Sequence, residues 1–178
     1  MNSNSFKTLL SKPDLLAEIE REWARRHLRE FVRQAWPVLE PEAFVPGWHV
    51  DAICEHLEAV TDGYIRNLLI TIPPRHTKST LISVIWPCWE WINHPENRFL
   101  CSSYAETLAI RDAVRSRRLI QSPWYQANWG AVYHLSGDQN VKARYENDRG
   151  GFRLSAGAVS PEAIREGLKR VSAALRSI

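Results

Sequence analysis

The chain has 178 residues, 44% hydrophobic and 24% charged, with 8 Gly and 10 Pro; this length holds one core, and this composition excludes collagen-like and wholly disordered chains. The formal net charge of +3 is too small to demand nucleic acid as a partner, so the placement of the arginines matters more than their number. Cys54, Cys88 and Cys101 stand far apart inside apolar stretches, which predicts neither a disulfide framework nor a CxxC metal site and fits a reducing cytoplasm, bacterial or host-cell.

Residues 1–7 are polar and hold no apolar stretch of the signal-peptide kind. Over 15–35, Leu16, Ile19, Trp23, Leu28, Phe31 and Val32 recur at helical intervals among charges, predicting one amphipathic helix or two short ones. A Pro-rich connector follows at 39–47. At 49–60, Val50, Ile53, Cys54, Leu57 and Val60 fall three and four apart, predicting a helix with one core face. Residues 68–72, Leu-Leu-Ile-Thr-Ile, read as a strand covered on both faces. Residues 79–92 are apolar almost all round, predicting a buried helix kinked at Pro87 with Trp86, Trp89 and Trp91 in the core. The longest apolar run falls far short of the roughly 20 residues that span a bilayer, so no membrane contact is expected.

A second buried strand is expected at 98–102, next to the strand at 68–72 and parallel to it, since a helix joins the two. A Ser103 and Glu106 capping box then opens a helix to about Gln121, which Ser122 and Pro123 end. Alternation at Val141, Ala143 and Tyr145, and again at Phe152 and Leu154, predicts a hairpin about a turn at 147–151, with 132–135 as a candidate third strand. Ser160 as N-cap and Pro161 begin a closing amphipathic helix with Ile164, Leu168, Val171 and Leu175 on one face.

Strand, turn, Lys-Ser-Thr triplet and buried helix, in that order, form the setting of a phosphate-binding loop. Such a loop needs amides at a helix N-terminus, a lysine against the β and γ charge and a hydroxyl for Mg²⁺; Lys78 and Ser79 have those chemistries. A lysine in a first helical turn also opposes the macrodipole unless an anion is near. The formal pattern GxxxxGK[ST] fails at both glycines, where Ile72 and Thr77 stand. If Thr77 must be left-handed, its β-branched side chain costs roughly 1–2 kcal/mol. Arg111, Arg115, Arg117 and Arg118 crowd one helix and suit either a DNA backbone or a solvated face. No metal-ligand cluster and no Ser-His-Asp arrangement is read.

Ile-Pro-Pro-Arg-His-Thr-Lys-Ser at 72–79 resembles the variant Walker A motif of tailed-phage terminase large subunits, the ATP-driven motors that package DNA into procapsids. Pro-Gly-Trp-His at 46–49 resembles that family's adenine-side segment, and Phe-Leu-Cys-Ser-Ser-Tyr at 99–104 its second strand and turn. Ile-Gln-Ser-Pro-Trp-Tyr at 120–125, Leu-Ser-Gly-Asp-Gln-Asn at 135–140 and Arg-Gly-Gly-Phe-Arg-Leu at 149–154 are similar too. The resemblance implies a partial α/β P-loop NTPase core at 48–156, an N-terminal helical segment and connector at 1–47, and a C-terminal helix at 157–178. It implies ATP and Mg²⁺ as cofactors. Pro74, Arg75, His76, Thr77, Lys78, Ser79 and Thr80 would surround the nucleotide, with Trp48 and His49 at its base. Lys78 and Arg75 would be the catalytic residues and Ser79 the Mg²⁺ ligand. Read without the family, His76 fills a turn and Trp48 belongs to the core. The implied partners are double-stranded phage DNA, the terminase small subunit and portal in a full-length protein, and further copies in a homo-oligomer.

The chain departs from the family at Thr77, usually Gly, and beyond Leu154, where the family's Walker B strand and nuclease domain do not follow. Residues 153–176 instead resemble the closing segment of PLP-dependent aminotransferases, and no Schiff-base lysine can be assigned. The expectation is a truncated or recombined terminase reading frame with a Walker A-like loop and no Walker B acid. The alternative is a non-catalytic nucleotide- or DNA-binding relic.

Overall fold

The computed structural model describes residues 13–137 and 143–157. The charged N-terminal stretch forms two helices, α1 (Pro13–Arg26) and α2 (Leu28–Leu39), which break at His27, where the backbone is extended. The amide of Leu28, left without an intrahelical partner, donates to Glu58 Oε1 at 2.5 Å. Glu58 belongs to α3 (Trp48–Thr61), whose buried Val50, Ile53, Cys54 and Leu57 are the residues that the spacing placed on its core face. Ala24, Leu28, Phe31, Val32 and Ala35 share one apolar cluster with α3 and with later helices.

Residues 68–72 form no strand. Leu68, Ile70 and Ile72 pack against the core while Leu69 is 90% exposed, so only alternate side chains find cover. A run of five apolar residues suits burial on two faces, but among the described residues no strand pairs with this segment. The expected parallel pairing of 68–72 with 98–102 is therefore corrected. The sheet is β1 (Arg98–Ser103), β2 (Arg144–Glu146) and β3 (Phe152–Gly157) in the order β1-β3-β2. β1 lies parallel to β3 with Leu100 opposite Leu154, and β2 antiparallel to β3. The molecule is thus α/β with a small mixed sheet. β1 is covered on one face only, because Leu100 on the other is 68% exposed. The hairpin forms as expected, with Gly150 at φ 86° in its turn, a conformation open to glycine. The segment at 132–135 contributes one isolated bridge, Leu135 to Asn147, rather than a strand.

The buried helix begins at Lys78 and is π-wound over Thr80–Ile85 before α4 (Trp86–Asn93). The irregularity precedes Pro87: the Trp86 amide reaches the Leu81 carbonyl, five residues back. An α-helix would bond the Ser83 carbonyl to the amide of residue 87, which proline lacks. Ser83 O instead accepts Nη2 of Arg153 at 2.7 Å. Arg153 is fully buried on β3, and its Nε and Nη1 have no partner.

Ser103 stays in β1, so the expected capping box does not form; α5 (Glu106–Gln121) starts after Ala105 with no side-chain cap. Ser122 then caps a further helix, α6 (Pro123–Trp129), its hydroxyl accepting the Tyr125 amide at 3.2 Å. Tyr125, Trp129, Tyr133, Tyr145, Phe31 and Trp91 make an aromatic core, with Trp91 and Tyr145 perpendicular at 5.7 Å. Trp89 and Trp91 are buried and Trp86 partly so, as expected. No helix among the described residues is long and apolar enough to cross a membrane. The expected closing helix from Ser160 lies outside the described residues.

If the Ser83 carbonyl links Pro87 to Arg153, Arg153→Met destabilises the parent more than it does a Pro87→Ala variant, which regains the missing amide. Urea unfolding of the four chains should give a coupling of about 0.5–3 kcal/mol, and additivity would remove the link. The thiols differ by burial, which pushes that of Cys54 up to about 12 and that of Cys88 higher still. Cys101 is half-buried, so native protein should react quickly with a disulfide reagent at Cys101 alone, and at all three thiols once unfolded.

Candidate functional site

The first regular bond of the buried helix runs from the Leu81 amide to the Thr77 carbonyl at 2.9 Å. The amides of Lys78, Ser79 and Thr80 therefore have no partner within the helix. Thr77 does not cap them, because its hydroxyl donates to the His76 carbonyl at 2.7 Å. Arg75 and Thr77 both hold left-handed backbone, at φ 67° and φ 60°. Among the described residues they are the non-glycine positions that do so, and this is the conformation for which phosphate loops use glycine. The loop turns where the expected motif lies.

A cleft of about 380 Å³ opens over this turn, lined by residues 72–80 and by Arg111 of α5. Among the described residues that line it, Arg75, Lys78 and Arg111 are cations and none is a carboxylate. Pro74, Arg75, His76 and Ser79 are exposed; Thr77, Lys78 and Thr80 are half-buried. Lys78 also borders an apolar groove beside Leu57, Leu68, Ile70 and Trp86, so its side chain lies between two cavities. Thr80 Oγ1 accepts Nη1 of Arg115 at 3.2 Å, and Arg115 pairs in turn with Glu40, which ties α5 and the end of α2 to the first turn of the helix.

A second cleft of about 590 Å³ shares Ile72, Pro73 and His76 with the first. Trp48, His49, Ala52, Ile53 and His56 of α3 form one wall, and residues 68–73 the other. The His49 and His76 rings meet edge to face at 5.6 Å. A side chain at Gly47 would lie 2.7 Å from His49 Cε1, so glycine leaves room for that imidazole. Nδ1 of His56 stands 2.7 Å from the Ala52 carbonyl, and Nδ1 of His76 2.9 Å from that of Pro74. Both carbonyls can only accept, so each of these nitrogens acts as the donor. Trp48 is 83% exposed, which corrects its reading as a core residue.

The structure thus brings the loop residues at 74–80 to one cleft and Trp48 and His49 to the adjoining one. The residue that sequence reasoning did not assign to the nucleotide is Arg111. Its four-residue spacing from Arg115 is visible in sequence, but the wall it faces depends on how α5 packs. Of the four α5 arginines, Arg111 lines the loop cleft and Arg115 bonds Thr80. Among the described residues no group of three or more His, Cys, Asp or Glu could hold a metal, so Ser79 stands alone as the Mg²⁺ ligand implied by resemblance. Glu146 pairs with Arg144, and Asp148 with His134. Comparison with protein-family models, with curated proteins and with solved structures finds no match for this chain.

The left-handed penalty at Thr77 is roughly 1–2 kcal/mol, and glycine gives back about 0.5–1 kcal/mol through its unfolded-state freedom. Thr77→Gly should therefore raise stability by up to about 1 kcal/mol. Thr77→Val, which keeps the branch and loses the bond to His76, should lower it. Urea midpoints check both, and a lowered midpoint for Thr77→Gly would show that the loop is not strained there.

Proposed function

We propose that this chain is the ATP-binding part of a terminase-type DNA-packaging motor. The observation that carries the reading is the loop at 72–80: left-handed backbone at Arg75 and Thr77, amides at a helix start without a partner within the helix, and a cleft whose described lining includes Arg75, Lys78 and Arg111. A polyphosphate there would offset both the crowding of like charge and the unfavourable position of Lys78 against the helix dipole. In this reading Lys78 and the first helical amides hold the inner phosphates, Arg75 follows the outer charge from the turn, and Ser79 presents a hydroxyl to the metal. Mg²⁺, when bound, supplies neutralisation of the phosphate oxygens. Trp48 offers an exposed aromatic face and His49 a ring edge to a base in the adjoining cleft. Pro74, His76 and Thr80 shape the turn between them. Double-stranded DNA, a small subunit, a portal and further copies of the chain are the partners that a motor of this kind implies.

None of the described residues lining the cleft is a carboxylate, and on that lining the second reading is one in which nucleotide binds without efficient turnover. Phosphoryl transfer needs a group to orient water and a second side to the metal site, and no described residue lining the cleft supplies a carboxylate for either. Calorimetry with Mg-ATP decides the first point: Lys78→Ala should weaken binding by at least about tenfold. Equal affinity in the variant and the parent would remove the phosphate-loop reading. Steady-state hydrolysis decides the second. Turnover with DNA should stay near that of the Lys78→Ala control, whereas DNA-stimulated hydrolysis lost in that control would establish a working motor.

A further inference from the structure

We infer that Arg111, which lies outside the loop motif, is a ligand for the terminal phosphate and so makes the cleft prefer a nucleoside triphosphate to a diphosphate. The inference rests on the nucleotide reading of the loop. Among the described residues, the lining of the cleft is 72–80 and Arg111. Arg111 reaches it from α5, across from the loop.

Its position is fixed by its neighbour one helical turn on. Arg115 bonds Thr80 Oγ1 and pairs with Glu40, so this face of α5 is held against the start of the buried helix. Residues four apart share a face, and Arg111 lies one turn nearer the α5 N-terminus. The Arg111 guanidinium is only loosely committed. Nε and Nη2 both donate to the same oxygen of Asp112, at 3.0 and 2.9 Å, while the side chain stays more than half exposed. A guanidinium has five donors, so three remain, in a planar fork that matches phosphate oxygens. Asp112 itself does not line the cleft, so its charge does not oppose an anion there directly.

The division of labour comes from chain position. Amides at the helix start and Lys78 act on the phosphates nearest the loop. A cation arriving from the facing helix is left with the oxygens those groups do not reach, which belong to the last phosphate of a longer chain.

The test compares Mg-ATP and Mg-ADP binding to the full chain by calorimetry, in the parent, Arg111→Gln and Arg111→Lys. Arg111→Gln should weaken Mg-ATP about ten- to a hundredfold and Mg-ADP by less than about threefold, which abolishes the preference. Arg111→Lys should restore part of the Mg-ATP affinity through charge alone, without the fork. Equal weakening of both nucleotides would overturn the assignment to the terminal phosphate. Parental affinity for both in Arg111→Gln would overturn any contact by Arg111 and leave the loop reading standing. If the parent binds neither nucleotide, the loop reading itself fails and the inference falls with it. A thermal midpoint for Arg111→Gln near the parent's separates ligand loss from unfolding.

Discussion

Arg153 donates from Nη2 to the Ser83 carbonyl at 2.7 Å, and through that bond the sheet holds the helix that carries the loop at 72–80. A buried guanidinium with two unpartnered nitrogens is a strong constraint, because it must keep whatever acceptor it has. The acceptor is a carbonyl that an α-helix would have bonded to the amide of residue 87, and proline has no such amide. Proline, π winding and buried arginine therefore belong together. The extra residue in the π turn rotates the first helical turn, at Lys78 to Thr80, by roughly 100° against α4, relative to a continuous α-helix. Trp91 then faces the aromatic core and Trp89 the apolar cluster, while Lys78, Ser79 and Thr80 line the cleft.

The clefts have a second origin in residues 68–72. Only alternate residues of that segment are anchored: Leu68, Ile70 and Ile72 lie against the apolar cluster. Among the described residues the segment has no neighbouring strand, and it walls the larger cleft together with α3. Pro73 and Pro74 then fix the backbone direction into the turn at Arg75. The two clefts meet at Ile72, Pro73 and His76, where the segment ends.

Helices were legible where one face is buried, because a spacing of three and four needs a single partner surface; Val50, Ile53, Cys54 and Leu57 are such a case. The hairpin was legible for the same reason at period two, with the Asn147 to Gly151 turn fixing its register. Residues 68–72 misled because an apolar run reports affinity for cover and not whether a partner strand exists. Ser103 misled because a capping box competes with strand pairing, and the register of β1 with β3 carries through to Gly157. Trp48 misled because large aromatics are usually buried, whereas this one sits at the first position of α3 and overhangs the cleft. Lys78 and Ser79 could be placed together from their adjacency in the sequence, but Arg111 could not be placed beside them, since its position at the cleft comes from the packing of a helix distant in sequence rather than from local pattern.

Strain and like charge are concentrated in the same few residues. Arg75 and Thr77 hold left-handed backbone without the glycine that makes it easy, and Arg75, Lys78 and Arg111 surround one small cleft. Neither feature favours folding, so each must be maintained by what lies outside the loop. Upstream, the anchored side chains at 68, 70 and 72 and the two prolines restrict the approach. Downstream, Arg115 bridging Thr80 and Glu40, and Arg153 on Ser83, hold the helix start and its π-wound continuation. Arg115 does this while paired with Glu40 and without itself lining the cleft. The result is a surface of helix-start amides and cations, and on the proposed reading a phosphate would relieve their repulsion even where the motif's glycines are missing.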